Sequence, residues 1–210
     1  SAVSRGVVRS PRHRDMLVFE SRFESGNLRR AVQVASHEYD LILRPDLNTR
    51  GNTQWFYFAF ANGQRGVTYK FNILNMVKPD SLFNFGMQPL VYSTQEAALR
   101  ATGWRRRGHD VCYYQNHIRR RTGYYYTLSF KLRVLHASDV TYVAYTHPYT
   151  YTDLNRYLQG LEMDASAAKR FRRRALCETL SGNTVDMLTI TSFASDPEAI
   201  AKRKGIVISA

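Results

Sequence analysis

The sequence has few of the features that mark several common protein classes. Its 210 residues include two cysteines, Cys112 and Cys177, which lie far apart and in no C-x-x-C pair. A disulfide-stapled scaffold and a thiolate zinc site are therefore disfavoured, and a reducing compartment is expected. No apolar run approaches the roughly 20 residues needed to cross a bilayer, and the first fifteen residues lack the apolar core of a secretory leader. The sequence thus predicts neither membrane insertion nor secretion.

Motifs for catalysis and metal binding are missing as well. The six histidines show neither H-x-x-E nor H-E-x-x-H spacing. No nucleophile elbow, phosphate-binding loop or dinucleotide fingerprint is present. The residues themselves therefore predict no catalytic side chain and no metal ligand in this chain.

Negative charge is scarce compared with positive charge. The 17 acidic residues are outnumbered by 30 lysines and arginines, which gives a formal net charge of +13. Such an excess favours an acidic partner, either nucleic acid, an anionic membrane surface or an acidic protein tail. The basic residues form runs of three at 105–107, 119–121, 172–174 and 202–204. A single run is more simply explained as solvated surface, so a site requires several runs to converge in space.

Alternating apolar and polar residues dominate the first two thirds of the chain. The stretches VTYKFNIL and YYYTLSFKLRVL alternate with period two, as half-buried strands do. In QWFYFAFA both faces are bulky, which predicts a strand in the middle of a packed sheet. Turn signals such as ANGQRG and RRTG separate these stretches. The sequence predicts a flexible basic arm at 1–15 and a mainly β, antiparallel β-sandwich at 16–147, with one short helix opened by a Ser93–Glu96 capping box.

After His147-Pro148 the pattern changes to alternating helices and strands. TYTDLNRYLQGL predicts a helix with Thr152 as its N-cap, and ASAAKRFRRRAL predicts a second helix. Strands are predicted in CETL and VDMLTITS, a short helix in DPEAIAKRKG and a closing strand in GIVISA. This alternation is typical of α/β domains. Because GIVISA has the composition of a core strand without following neighbours, we expect residues 148–210 to be the incomplete start of an α/β domain, and the chain to be a fragment.

Several stretches taken together carry a family resemblance. They are FESRFESGNLRRA (19–31), YDLILRPDLNTRGNTQWFYF (39–58), GVTYKFNILNMVKPDSLFNFGMQPL (66–90), GWRRRG (103–108), THPYTYTDL (146–154) and CETLSGNTVDMLTITS (177–192). In this order they resemble the cytosolic carboxypeptidases, zinc metallopeptidases that trim glutamates from protein C-termini and side chains, notably on tubulin. The likeness covers nearly everything from Met16 onward.

The resemblance implies an amino-terminal β-sandwich joined to an α/β zinc carboxypeptidase domain, with the junction near His147. In that family the strand similar to GIVISA leads into a zinc-binding His-Pro-Gly-Glu motif, and the other catalytic residues follow. No zinc ligand or catalytic residue can therefore be assigned here. The implied parent is a cytoplasmic, cytoskeleton-associated enzyme acting on glutamate-rich, tubulin-like tails. We expect this 210-residue chain alone to bind no zinc and to be inactive.

Two arginine runs and one lysine are the candidate substrate-guiding residues, because arginine holds carboxylates through charge-assisted hydrogen bonds. They are Arg105, Arg106, Arg107, Arg119, Arg120, Arg121 and Lys78. One alternative is a basic β-sandwich module that binds nucleic acid or acidic proteins through the same surface. Nucleic acid is disfavoured, because alternation assigns most of the nearby tyrosines to the core. The other alternative is a structural interaction domain with no preference for acidic ligands.

Overall fold

The computed structural model of the chain describes residues 16–49, 51–193 and 196–209. The predicted basic arm at 1–15 lies outside these residues. The chain divides into two compact units, and the division falls between Pro148 and Tyr149. Whether these units are one complete and one incomplete domain stays a prediction.

The first unit contains two β-sheets. Its described strands, in chain order, are β1 (Val18–Glu20), β2 (Leu28–Ala35), β3 (Glu38–Leu43), β4 (Tyr57–Ala61), β5 (Thr68–Met76), β6 (Leu90–Ser93), β7 (Arg105–Arg106), β8 (His109–Arg119), β9 (Tyr124–Arg133) and β10 (Thr141–Ala144). One five-stranded sheet has the order β1-β4-β10-β6-β7, and the other has the order β2-β3-β5-β9-β8. Neighbouring strands are antiparallel except β3 and β5, which are parallel. The predicted mainly β, antiparallel fold is confirmed, with this one parallel pair as an addition.

The hydrophobic core is formed by the inward-facing residues of the alternating strands. Tyr69, Phe71 and Ile73 of β5 and Leu128 and Phe130 of β9 are all fully buried in it. Removing side chains of this size from water is worth about 1.5–3 kcal/mol each. The alternation of apolar and polar residues therefore predicts correctly which face of β5 and β9 enters the core, although Asn72, Thr127 and Ser129 on their polar faces are buried as well.

β4 has large side chains on both faces, as predicted for a strand inside a sheet. It lies between β1 and β10. Phe58 and Phe60 enter the core, whereas Tyr57 on the other face lies with its ring centroid 5.8 Å from that of Trp104. The strand begins at Tyr57 and not at Gln54.

Two helical segments lie in the described part of the first unit. A 3₁₀ helix at Leu82–Phe85 buries Phe83 in the core. Helix α1 (Thr94–Arg100) begins at the predicted cap, because the Ser93 hydroxyl accepts a hydrogen bond from the Glu96 backbone N–H at 3.0 Å. The reverse half of the predicted capping box is not formed, since the Glu96 carboxylate has other partners.

The second unit begins with helix α2 (Tyr151–Met163). The predicted cap at Thr152 is wrong by two residues. Thr150 is the N-cap, and its hydroxyl and backbone N–H exchange hydrogen bonds with Asp153 in a complete capping box. The helix buries Leu158.

The second predicted helix, over residues 165–176, is wrong. A 3₁₀ turn at Ala167–Lys169 is followed by strand β11 (Phe171–Glu178), which pairs antiparallel with β12 (Thr184–Ile190). The backbone pairing is reinforced by Arg173, whose guanidinium donates two hydrogen bonds of 2.8 Å to Asp186 across the strands. These cross-strand contacts override the helical spacing of alanines in the sequence.

The remaining part of the second unit contains a short helix and an extended segment. Helix α3 (Pro197–Ala201) lies where a short helix is predicted. The predicted closing strand is wrong in this structure, because no described strand pairs with residues 204–209. Ile206, Val207 and Ile208 are consequently 88%, 93% and 89% exposed. Of the helices in the described ranges, none is both long enough and apolar enough to cross a membrane.

Candidate functional site

The first predicted arginine run forms a short edge strand. β7 pairs with β6, so that Arg105 lies opposite Val91 and Arg106 opposite Leu90. The Arg106 guanidinium donates hydrogen bonds to the backbone carbonyls of Gln88 and Tyr145. Arg106 thus connects two loops and has fewer donors left for a ligand than Arg105, although both side chains are exposed.

The second predicted run lies where β8 turns into β9. Arg119 lies over the ring of Tyr124, with 5.7 Å between its Cζ atom and the ring centroid. Arg120 is half-buried, and its Nε atom has no hydrogen-bond partner among the described residues. Arg121 is exposed. Only part of this run is therefore freely available to a ligand.

The structure does not bring the seven predicted guiding residues together. Arg107 precedes the start of β8 and Arg119 ends it, and a strand of 11 residues extends over roughly 30 Å. Lys78 is exposed after β5, and its carbonyl accepts a hydrogen bond from Tyr113, near the middle of β8. The two runs and Lys78 are consequently separate features of the surface.

A cleft of about 280 Å³ lies instead beside Arg107, the last residue of the first run. Its basic side chains are Arg107, His109, Lys131 and Arg133, and we call this set the basic cleft. Three of the four are not among the predicted residues. The signal for Lys131 and Arg133 is present in the sequence, because both occupy the polar face of the alternating strand β9.

The backbone next to His109, which lines the cleft, departs from regular strand geometry. Gly108 has φ of +124°, and a Cβ atom there would lie 3.4 Å from the Pro89 ring. The register of β8 with β9 shifts between His109 and Cys112, which is the mark of a β-bulge. The positive φ of Gly108 and the β-bulge together change the direction of the chain between β7 and β8.

The cleft keeps an excess of positive charge. Lys131 donates a 2.7 Å hydrogen bond to Asp110, which lowers the pKa of that carboxyl group below its ordinary value. Asp139 also lines the cleft, but its carboxylate accepts hydrogen bonds from Thr94 and Thr141. Arg133 has no ion pair with any residue in the described ranges. An anion could therefore be held here without displacing an existing carboxylate from Arg133.

Arg107 also belongs to a cluster around a buried carboxylate. Glu96 is 5% exposed and pairs with the His136 ring. Arg100 and Arg107 lie 3.8 and 4.0 Å from the same carboxylate. The His136 hydrogen bond is the main cause of a lowered pKa of Glu96. Arg107 lines the cleft and lies near Glu96 of α1, so this cluster connects the cleft to the helix.

The described residues do not fit a metal ion. Within them no group of three or more histidine, cysteine, aspartate or glutamate side chains could hold one. Cys112 and Cys177 are both exposed and form no disulfide.

Comparisons with known proteins assign the chain to a family. Residues 19–146 match the family described as the cytosolic carboxypeptidase N-terminal domain. The chain belongs to the cytosolic carboxypeptidase family. It is 45% identical over 194 residues to cytosolic carboxypeptidase 2 of Xenopus tropicalis, and 47% identical over 192 residues to cytosolic carboxypeptidase 1 of Homo sapiens. The family predicted from the sequence stretches is confirmed.

The alignment covers most of this cytosolic carboxypeptidase chain but a small part of its relatives. It includes 92% of the chain against 20% of the Xenopus tropicalis protein, and 87% against 16% of the human protein. The chain therefore spans about a fifth or less of the length of the curated relatives that it matches.

Solved structures share the fold of this cytosolic carboxypeptidase segment. The metallo-carboxypeptidase from Burkholderia cenocepacia superposes with a TM-score of 0.61 at 19% identity, covering 87% of this chain and 41% of that one. The metallo-carboxypeptidase from Pseudomonas aeruginosa gives a TM-score of 0.57 at 20% identity, covering 81% and 39%. At these identities the likeness concerns the fold alone.

Proposed function

We propose that this chain is the folding and substrate-guiding part of a zinc metallocarboxypeptidase that removes glutamates from the C-termini or side chains of proteins such as tubulin. The parent enzyme would work in the cytoplasm and on the cytoskeleton. The observation that carries the proposal is the family match over residues 19–146, within which the basic cleft lies. In this proposal the zinc ion and the catalytic side chains belong to parts of the parent outside these 210 residues.

In this proposal, the basic cleft would guide the substrate through electrostatic attraction. Arg107, Lys131 and Arg133 present cations around one cleft, and cations arranged this way attract carboxylates and raise the rate of encounter. The attraction between exposed charges decays over about 10 Å at 0.1 M salt. A glutamate-rich tail is thus the ligand whose charge complements the cleft.

The sequence alternative of nucleic-acid binding has less support from the tyrosines. Tyr113 is 6% exposed, and its ring is stacked on that of Tyr126 at a centroid distance of 5.6 Å. Burial raises the pKa of Tyr113. Rings packed in this way are not available to stack on bases.

The guiding role is tested by measuring how a fluorescent glutamate oligomer binds to the 210-residue chain. The double variant Arg107→Gln/Arg133→Gln removes two positive charges that line the cleft and leaves Arg106 and Lys131 in place. We expect it to bind about two- to tenfold more weakly at low salt, because exposed charge pairs contribute modestly. The oligomer should be recovered uncut after incubation, since catalysis is assigned to the rest of the parent.

A matched control is Arg65→Gln/Arg156→Gln, which removes the same charge from exposed positions outside the cleft. It should bind nearly as tightly as the parent chain. Equal affinity of all three proteins at low salt would remove the cleft from the proposal. Shortening of the oligomer by this chain would contradict the assignment of catalysis elsewhere.

A further inference from the structure

A second basic surface lies at the opposite edge of the sandwich. β1 and β2 are edge strands of the two sheets, and β7 and β8 are the edge strands on the other side. Four strand spacings of about 4.8 Å, roughly 19 Å, separate the two edges within each sheet. A cavity of about 480 Å³ lies beside β1 and β2. This volume is in the range of ligand-binding clefts, about 300–1,000 Å³.

The walls of this edge cavity are rich in arginine. Arg22, Arg29, Arg30 and Arg44 all line it, and Glu20 is the one carboxylate among its described lining residues. None of these arginines belongs to the runs of three that the sequence makes conspicuous. They come from three separate places along the chain, and the pairing of β2 with β3 brings Arg44 next to the strand that carries Arg29 and Arg30.

A β-bulge explains how neighbouring arginines line the same cavity. In a regular strand, Arg29 and Arg30 would point to opposite faces. Leu28 pairs with Leu43 and Arg30 pairs with Ile42, so that Arg29 is an extra residue in β2. A bulge of this kind redirects a side chain and is common beside binding sites.

Three of the guanidinium groups have no ion-pair partner among the residues that the structure describes. Across the described ranges, the side chains of Arg29, Arg30 and Arg44 form no ion pair and no hydrogen bond to another side chain. Elsewhere the chain does compensate basic side chains, as in the pairs Lys70–Glu38 and Arg173–Asp186. The edge cavity therefore concentrates positive charge that the described residues leave uncompensated.

The fourth arginine is held in place. Arg22 donates hydrogen bonds of 2.9 and 2.6 Å to the two carboxylate oxygens of Glu20. The backbone N–H groups of Ser21 and Arg22 also donate to Glu20, at 2.9 and 2.7 Å. The hydrogen bonds from Arg22 are the main cause of the lowering of the pKa of Glu20 to about 2. Arg22 is thus oriented, and its remaining N–H groups are available to a ligand.

Three apolar residues, Leu17, Phe19 and Leu28, also line the edge cavity. Leu17 and Leu28 are 6% and 7% exposed, and Phe19 packs against the same core.

We propose that the edge cavity binds a peptide segment with closely spaced negative charges, which carboxylates or phosphates could supply. Arginine forks match both groups in geometry, and arginine clusters recognise acidic and phosphorylated peptide motifs. This inference does not rest on the proposed peptidase function and uses none of the residues of the basic cleft. Its failure would therefore leave that proposal in place, and the reverse also holds.

The proposal is tested with the whole 210-residue chain and three labelled peptides of one sequence. One peptide carries glutamates, one carries phosphoserines at the same positions, and one carries glutamines. Replacing Arg29, Arg30 and Arg44 by glutamine should weaken binding of a charged peptide about tenfold in fluorescence anisotropy. The two charged peptides, compared with each other, identify the group that supplies the negative charge.

Two controls distinguish binding at a specific site from a general effect of net charge. The triple variant Arg65→Gln/Arg156→Gln/Arg174→Gln removes the same charge at exposed positions outside both basic sites, and should change the affinity less than about twofold. Glu20→Gln removes the carboxylate that competes with a ligand and should bind at least as tightly as the parent chain. Equal weakening in the two triple variants, or equal binding of the glutamine peptide, would overturn the proposal, and the arginines would then only protect the edge strands from pairing.

Discussion

Glu96 connects three parts of the sandwich through one side chain. It lies in the first turn of α1, its carboxylate pairs with His136 in the loop after β9, and Arg107 follows β7 at 4.0 Å. A carboxylate this deeply buried is tolerated because it has these partners. Loss of its charge should therefore loosen all three connections at once.

We predict that Glu96→Gln lowers the Tm of the sandwich by roughly 2–4 °C near neutral pH. Folding lowers the pKa of Glu96 from its ordinary value of 4.5, so its stabilisation is present above that pH and is lost as the pH falls through the folded value. The Tm of the parent chain should approach that of the variant on acidification. Circular dichroism melts across the pH range measure this difference.

The matched control for this prediction is Glu178→Gln, which removes an exposed carboxylate at the end of β11. It should leave the Tm unchanged at every pH. A Tm difference for Glu96→Gln that persists below the pKa of both states would contradict the assignment.

The sequence predicts one contact of Glu96 and misses the other. The Ser93-x-x-Glu96 spacing correctly places the start of α1, since a cap is a local interaction. The pairing with His136, which lies 40 residues later, depends on how β6, α1 and β10 come together. Spacing rules contain no information on such a long-range contact.

At the scale of elements, α2 shows how a cap fixes a helix start. The Thr150 hydroxyl accepts a hydrogen bond from the Asp153 backbone N–H, and the Asp153 carboxylate accepts one from the Thr150 backbone N–H. Thr152 lies inside the helix and is exposed. The two threonines therefore form a natural pair for comparison.

We predict that Thr150→Ala destabilises α2 by about 1 kcal/mol, whereas Thr152→Ala has a much smaller effect. Removing the cap leaves backbone N–H groups of the first turn without a partner. Hydrogen exchange at Asp153 and Leu154 should become faster in the first variant and stay nearly the same in the second. The opposite ranking would place the cap at Thr152.

The strands differ in how well the sequence predicts them. β5 and β9 are predicted correctly, because their alternating apolar residues form one face that packs in the core. β11 is mistaken for a helix, because its three arginines, Ala175 and Leu176 have good helix propensity. Its partner β12, which supplies Asp186 for the contact with Arg173, comes later in the chain. Pairing between strands outweighs local preference here.

At the scale of the whole molecule, burial is unevenly distributed. The buried hydrophobic residues lie almost entirely in the first unit, and among the described residues of the second unit only Leu158 and Phe171 are buried. The second unit also exposes large apolar side chains, namely Leu176, Leu180, Met187, Leu188 and Ile190. Few buried contacts imply a low free energy of local opening.

We predict that trypsin cleaves the second unit first, within residues 170–174 and 202–204, while residues 16–147 resist. Proteolysis follows the free energy of local opening, which is smaller where little apolar surface is buried. Gel electrophoresis and mass spectrometry of a time course identify the surviving fragment. Cleavage of both units at equal rates would contradict this expectation, and digestion in denaturant provides the reference for fully open chains.

The candidate sites are predicted less well than the fold. Runs of arginine are visible in the sequence, but the structure separates residues 105–107 from 119–121 along β8. The cleft and the edge cavity instead collect single basic residues from distant strands, such as Lys131 beside Arg107 and Arg44 beside Arg29. The order of strands in the sheets brings these basic residues together. A local sequence pattern does not show which strands become neighbours.

The position of β10 has a consequence for how the chain is made. β10 is the last strand of the sandwich in sequence, yet it lies in the middle of the first sheet, between β4 and β6. Before Thr141–Ala144 are synthesised, that sheet can exist only as two separate pairs, β1 with β4 and β6 with β7. The first sheet can therefore be completed only after its last strand has been synthesised. Until then its two separate strand pairs leave unpaired edges that chaperones could cover.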